Sequence, residues 1–416
     1  YRFKHSFSLS VTDTSSFPAN SGDWFIITGT VRAPRSATGA GLFDYRQYLL
    51  SQGVQARFSA PITGVYPAQG KASILDRLSS LRREMLSRIS TYVPGEEGAF
   101  LKGILLGDTG DFTPEMTDHF RKTGLSHIVA VSGMHLSILM LFVLWLCTLF
   151  RLGRKSRAAI GAAVIFLFVC VAGGSPSLLR SAIMHLIALL ATVLSRKTDL
   201  RTSIPIAAGI ILLWNPFSIF DAGFLLSFSS VMGVVLFGPP LSSRLFFLPR
   251  FLAELMGMSV GAQLCSAPIV LLLFHGISVY SIISNVLVVP YVEILFLGAV
   301  LLVAFGGFSP LGIALGYGLR YTTRFLLTVI DAISGLPGAY QILGAPSLLG
   351  LLAFACFLCC LYRILQGRYK NMVFYSLLAL LIVASVGQSL WNQNAFRITF
   401  LNVGQGDSIL IQLPFG

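Results

Sequence analysis

From Leu125 to Trp391 the sequence is a succession of apolar blocks, parted by short charged or Gly/Pro-rich breaks. A helix needs about 20 mostly apolar residues to cross the hydrocarbon core of a bilayer. Ten blocks are candidate spans: 125–150, 158–174, 176–195, 203–218, 221–240, 250–274, 281–306, 309–335, 347–364 and 371–391. Several are short for a full crossing, which leaves room for tilted, broken or re-entrant pieces. Composition agrees with the pattern. The chain is 55% hydrophobic and 11% charged, where an ordinary soluble domain is about 25% charged. Because the blocks continue through the chain, a secretory signal does not explain them. The fold class this implies is a mainly α, polytopic membrane helical bundle of about ten spans at 125–391.

The formal net charge is +13, and its placement is informative. If 151–157 faces the cytoplasm, alternation puts 196–202, 241–250 and 365–370 there too. These linkers hold Arg151, Arg154, Lys155, Arg157, Arg196, Lys197, Arg201, Arg244, Arg250, Arg368 and Lys370. The opposite linkers near 175, 219, 278 and 340 carry no Lys or Arg. That is the positive-inside pattern, and it places 1–124 and 392–416 outside the cytoplasm. The start at Tyr1 and the stop at Gly416, just after a strand-like run, lead to the expectation of an internal piece of a longer protein.

Residues 1–90 differ from the rest. "SFSLSVT", "DWFIITGTVR" and "GVQARFSAPITGVY" read as strands, and "LFDYRQYLLSQG" as a short helix closed by Gly53. Together they suggest a small β-barrel-like domain with 11 Lys and Arg against 5 Asp and Glu. Its aromatic residues are core by default, although Trp24 beside Arg32, Arg35, Arg46 and Arg57 could stack and pair with nucleic acid. Residues 91–124 read as amphipathic interfacial helices. In "FTPEMTDHFRKTG", Thr113 is the N-cap, Pro114 the first helical residue and Gly124 lies past the end. Residues 392–416 are two alternating strand-like runs around "GQGDS", the first hairpin of a further domain.

Ionisable and amide side chains inside apolar spans are the candidate functional residues, since a central charge costs about 2.5–3.5 kcal/mol. In "TGLSHIVAVSGMHLSIL" one continuous helix would set His127 and His135 within about 80° of each other, with Ser132 beside His135. They are either an interhelical hydrogen-bonding set or a polar flank on an aqueous path. Arg320, Arg324 and Asp331 share a helix face: an internally neutralised lock between helices, or a positive excess suited to an anionic cargo. Arg180, near the outer end of its span, either snorkels to headgroups or sits at a channel mouth. Glu293, Gln263 and Asn285 complete the intramembrane polar set, and Pro205, Pro268 and Pro290 interrupt spans as broken helices around a conduit would.

Other classes are disfavoured. There is no GxxxxGK[ST] loop for a nucleotide-driven motor and no HExxH or clustered His/Asp metal signature. A Ser132/His135 hydrolase would need a third orienting group that the sequence does not specify. All six cysteines lie inside apolar blocks, so the soluble stretches hold no disulfide framework or thiolate metal site.

Four stretches resemble the ComEC-type DNA-internalisation family of natural competence. "LLGDTGDFTPEMTDHFRKTGLSHIVAVSGMHLSIL" is similar to its G-D, F-R-x-T-G-x-S-H and S-G-x-H run. "GGSPSLLRSAIM" resembles its P-S-x-x-R-A segment, with Ser181 for Ala. "NPFSIFDAGFLLSFSSVMG" resembles its D-x-G-F-Q-L-S-F segment, with Leu225 for Gln. Gln263, Pro268, Asn285 and Pro290 match an A-Q-x-x-x-x-P … N-x-x-x-x-P pattern. The likeness covers most of 95–310 in order. It implies that 1–90 is an OB-like domain and that "FLNVGQGDSILI" begins a metallo-β-lactamase-like domain. There Asp407 would be a supporting acid, and any divalent metal would be held beyond Gly416.

The resemblance further implies a channel in the bacterial inner membrane that passes one DNA strand into the cytoplasm. This segment would hold no catalytic site, metal or cofactor, and a metallo-β-lactamase-type nuclease would follow downstream. The partners would be single-stranded DNA, the bilayer, a DNA receptor outside and a cytoplasmic DNA-translocating ATPase. His127, Ser132, His135, Arg180, Gln263, Asn285, Glu293, Arg320 and Arg324 would line or support the path, and the basic first domain would collect the strand. The rival readings are a small-solute transporter and a membrane anchor for a downstream hydrolase.

Overall fold

The computed structural model describes residues 6–12, 24–34, 36, 44–61, 65–68, 74–196, 199–344, 346–367, 375, 377–384, 396–402 and 407–412. The chain divides into two compact units: Tyr1–Ala33, Leu50–Phe228 and Ile277–Gln341 in the first, Pro34–Leu49, Ser229–Gly276 and Ile342–Gly416 in the second.

In the first unit, strands β1 (Ser6–Thr12), β2 (Trp24–Ile27), β3 (Thr30–Arg32), β4 (Val54–Pro61) and β5 (Val65–Ala68) form two sheets. β4 is central in one, parallel to β1 and antiparallel to β3; β2 and β5 pair antiparallel in the other. Among the described residues these strands do not close into the barrel that the resemblance implies. Helix α1 (Tyr45–Ser51) precedes β4, and Gly53 ends it at φ 74° as expected.

The helices of the first unit are α2 (Ile74–Tyr92), α3 (Glu96–Leu106), α4 (Pro114–Lys122), α5 (Ser126–Val129), α6 (Gly133–Leu149), α7 (Arg154–Ala172), α8 (Pro176–Val193), α9 (Leu200–Trp214), the start of α10 (Ala222–Ser242), α12 (Ser281–Phe305) and α13 (Ser309–Ser334). The expected span 125–150 is two helices. Ala130–Ser132 break it, and Ser132 takes extended backbone geometry as the N-cap of α6. His127 and His135 therefore do not share one helix, and the angular argument that joined them fails.

Residues 91–124 are the larger departure. Nearly every residue of α3 is buried, and Phe100, Leu101, Ile104 and Leu105 join Phe120, Leu136, Phe296 and Leu326 in one core. Tyr92 Oη donates to the Gly306 carbonyl at the C-terminal end of α12 (2.7 Å). Gly124 packs on Ser278 and Ser281 at the other end. Residues 92–124 thus flank all of α12, about 37 Å at 1.5 Å per residue, and are core partners of a span-length helix. Only α4 keeps the expected amphipathic form. Thr113 caps it by accepting the Met116 N–H at 3.1 Å, and it buries Met116 and Phe120.

Helix α2 fastens this layer by its cationic side chains. Arg82 Nη1 donates to the carbonyls of Leu106 (3.0 Å) and Val171 (2.6 Å), and Arg88 Nη1 to that of Val303 (2.6 Å). These are the C-terminal ends of α3, α7 and α12, where carbonyls lack helical partners and the helix dipole favours cations.

In the second unit, the rest of α10 packs on α11 (Arg250–Phe274) by backbone approach. A Cβ on Gly233 would collide with the Gly261 carbonyl oxygen, and one on Gly257 would fall 2.9 Å from the Gly238 oxygen. Small residues at such crossings are how membrane helices gain packing without a hydrophobic driving force. Arg244 caps α14 (Leu348–Leu365) by donating to the carbonyls of Ile364 (3.3 Å) and Leu365 (3.0 Å). The strands Arg397–Asn402 and Asp407–Gln412 form the expected antiparallel hairpin.

Among the described residues, six helices are long and apolar enough to cross a membrane: α7, α8, α10, α11, α12 and α14. α6 and α9 are apolar but shorter. The expected span 371–391 lies mostly outside the described residues. The span at 309–335 exists as a 26-residue helix whose charges set it apart.

Candidate functional site

Among the described residues Arg180, on the second turn of α8, is a buried charge. Pro176 at the first helical position and Ser175 as N-cap start that helix, the Ser175 side chain accepting the Leu178 N–H at 3.3 Å. Arg180 is 7% exposed. Its Nε donates to Ser227 Oγ (2.7 Å), which donates on to Ser177 Oγ (3.1 Å). Nη1 meets Met184 Sδ at 3.5 Å, and the guanidinium lies 5.7 Å from the Phe228 ring centre. Among the described residues no carboxylate pairs with it, and its burial is at odds with the snorkelling alternative.

Nη2 points at the start of α6, 3.0 Å from where a Cβ on Gly133 would sit. Ser181 Oγ donates to the Gly133 carbonyl at 3.2 Å, tying α8 to the same turn. A helix N-terminus carries about half a positive charge. A buried guanidinium facing it is two positive ends meeting with nothing between them. Burying an ion without a counter-charge costs several kcal/mol, and the Ser227, Met184 and Phe228 contacts offset part of that cost here.

The neighbouring candidates fall out differently. His135 is fully buried. Its Nδ1 accepts the Ser132 N–H at 3.1 Å, and its ring lies 4.9 Å from that of Phe296. A ring nitrogen that accepts carries no proton, so the proton sits on Nε2, which has no hydrogen-bond partner. His135 and Ser132 build the start of α6 rather than a lumen wall. His127 is exposed on α5, with Nδ1 3.1 Å from the Gly124 carbonyl oxygen.

Helix α13 carries the second polar region. It buries Gly312, Gly316, Leu319, Thr323, Leu326, Ile330 and Ser334 on one stripe and exposes Arg320, Arg324 and Asp331 along one flank of that stripe. The expected internal Arg/Asp pair is absent. Arg324 Nε instead lies 3.5 Å from Oε1 of Glu97, which is buried at the start of α3, and Asp331 lies 3.4 Å from His119 Nδ1 on α4. Arg320 has no ion-pair partner among the described residues. Two exposed arginines beside the midpoint of a 26-residue helix would cost about 2.5–3.5 kcal/mol each in hydrocarbon. That face is wet.

Glu293 and Asn285 are half-buried on α12, and Asn285 Oδ1 has no hydrogen-bond partner. Gln263 is half-buried on α11 in the other unit. In the N-terminal region Arg32 and Arg57 are exposed and directly opposite across β3 and β4. Arg46 is exposed on α1. Arg35 and the side chains of Trp24 and Asp407 lie outside the described residues. Among the described residues no cluster of His, Cys, Asp or Glu is placed to hold a metal ion.

Reading the sequence missed Gly133, Ser177 and Ser227 around Arg180, and Glu97 behind Arg324. It also missed Tyr317, Tyr321 and Phe325, whose four-residue spacing was the available signal.

An apolar chain with six helices long enough to cross a bilayer, a buried arginine without a carboxylate and an exposed arginine-bearing helix face is a polytopic membrane protein by class. The family model described as competence protein matches residues 104–368, and the chain belongs to that family. It is 29% identical over 266 residues to ComE operon protein 3 of Bacillus subtilis, covering 64% of this chain and 33% of that protein. It is 25% identical over 320 residues to competence protein ComA of Neisseria gonorrhoeae, covering 75% and 44%. With recombination protein 2 of Haemophilus influenzae the identity is 22% over 331 residues, covering 75% and 39%. The chain thus spans between a third and a half of these relatives' lengths. No solved structure matches it.

Proposed function

We infer that this chain forms the membrane part of a DNA-uptake system of natural competence, an inner-membrane channel that passes single-stranded DNA into the cytoplasm. The observation that carries the reading is Arg180. A buried guanidinium without a carboxylate, facing the N-terminus of α6, suits a backbone phosphate, one charge at a time along a polyanion. Its hydroxyl and aromatic neighbours hold the cation in place without neutralising it, so a phosphate can bind and leave.

In this reading the N-terminal strands form an OB-like domain outside the cytoplasm, where Arg32, Arg46 and Arg57 collect the strand. The C-terminal hairpin belongs to a metallo-β-lactamase-like domain. A receptor outside delivers DNA, and a cytoplasmic ATPase supplies the pull. In a transformable host whose only copy carries Arg180→Gln, labelled DNA reaching the cytoplasm should fall about tenfold or more at unchanged protein level. Undiminished entry would take Arg180 off the path. Entry that survives replacement of all the spans by an unrelated anchor would refute the channel itself.

A further inference from the structure

We propose that the exposed face of α13 is a stacking ladder for single-stranded nucleic acid, reading one nucleotide per helical turn. Tyr317, Tyr321 and Phe325 are 60%, 65% and 62% exposed and follow one another at four-residue spacing. Arg320 and Arg324 alternate with them in sequence. At 100° per residue the five side chains fall within an arc of about 140°, the arginines flanking the buried stripe and the rings on its far side. Successive rings are four residues apart, about 6 Å along the axis, and so are the two arginines. A strand released from duplex stacking, where its repeat is about 3.4 Å, stretches toward that spacing. Three rings and two intervening cations match three bases and the two phosphates that join them.

The alternative occupant, lipid, fits poorly. The arginines lie beside the helix midpoint, where a hydrocarbon-facing guanidinium cannot reach headgroups at either end without abandoning its neighbours. The ladder is also braced. Glu97 lies beside Arg324 (3.5 Å), and the Tyr291 ring sits 6.1 Å from Phe325 while its hydroxyl donates to the Thr322 carbonyl (3.2 Å). Rings serve any sequence equally, as an uptake channel requires, because every base has a π-face. The choice of ligand rests on the DNA-channel reading above.

The test uses the full-length protein in zwitterionic nanodiscs and a fluorescent oligothymidylate. Tyr321→Leu should weaken binding about tenfold, and Tyr321→Phe should restore it. Arg320→Gln with Arg324→Gln should flatten the slope of log affinity against log salt by about 1.4, at about 0.7 for each phosphate no longer neutralised. Affinity and slope equal to the parent's in these variants would overturn the ladder, the more so if their binding to anionic vesicles fell instead. The two readings fail separately. Ladder-dependent oligothymidylate binding by a protein whose loss leaves DNA entry unchanged would sink the channel and keep the ladder. Protein-dependent entry with indifferent ladder variants would do the reverse.

Discussion

Helices α12 and α13 are consecutive, 25 and 26 residues long, and packed on each other and on the same α2–α3 layer. α12 exposes Ile283, Leu287, Ile294 and Phe305, all apolar; α13 exposes Tyr317, Arg320, Tyr321, Arg324 and Phe325. Their buried sides are alike in kind, so packing does not distinguish them. The outward faces do: that of α12 is apolar throughout, while that of α13 carries two arginines among its aromatic rings. In a membrane protein the informative surface of a helix is the one its neighbours leave free.

The buried side of α13 should be the least forgiving. A Cβ on Gly316 would stand 2.8 Å from the Tyr92 carbonyl oxygen and 2.9 Å from its Cβ. Gly316→Leu should therefore cost about 3 kcal/mol, read as a lower melting temperature in detergent. A parent-like melt would mean that the α2–α13 contact is loose and that the two faces of α13 are not so different. On the α12 side, Arg88→Ala strips the Val303 carbonyl of its donor and should cost about 1–2 kcal/mol. No change would detach α2 from α12.

The smallest effect belongs to α4. Hydrogen bonding from Lys122, helped by Arg121, holds the Asp118 carboxyl below the usual carboxylate range. A depressed pKa stabilises above the unfolded-state value and is lost as pH falls through the folded one. Asp118→Asn should thus cost about a few tenths of a kcal/mol at neutral pH, since the site is solvent-screened. It should cost nothing once pH drops below that depressed value. A penalty independent of pH would mean the carboxylate charge is not what matters there.

What could be read from the sequence was whatever depends on local periodicity and caps. Thr113, Pro114, Gly124 and Gly53 act as their types dictate, and the shared face of Arg320, Arg324 and Asp331 is real. What could not be read depends on distant partners. Glu97 and His119 come from other helices, as does Ser227 beside Arg180. Apolarity alone did not separate α3, a core element, from a helix resting on a bilayer. The joining of His127 to His135 failed for a local reason that was visible: "VSGMH" offers Ser132 as a cap and Gly133 as a first helical residue, and a cap means a break.

The account's central claim is that α13 presents a wet face where α12 presents a lipid one. Single cysteines tell them apart in intact membranes, in a background lacking the six native cysteines, by reaction with a membrane-impermeant thiol reagent. Arg320→Cys and Tyr321→Cys should label readily and be protected by added oligothymidylate, while Leu287→Cys and Ile294→Cys stay inert. Equal inertness on both helices would contradict the claim outright.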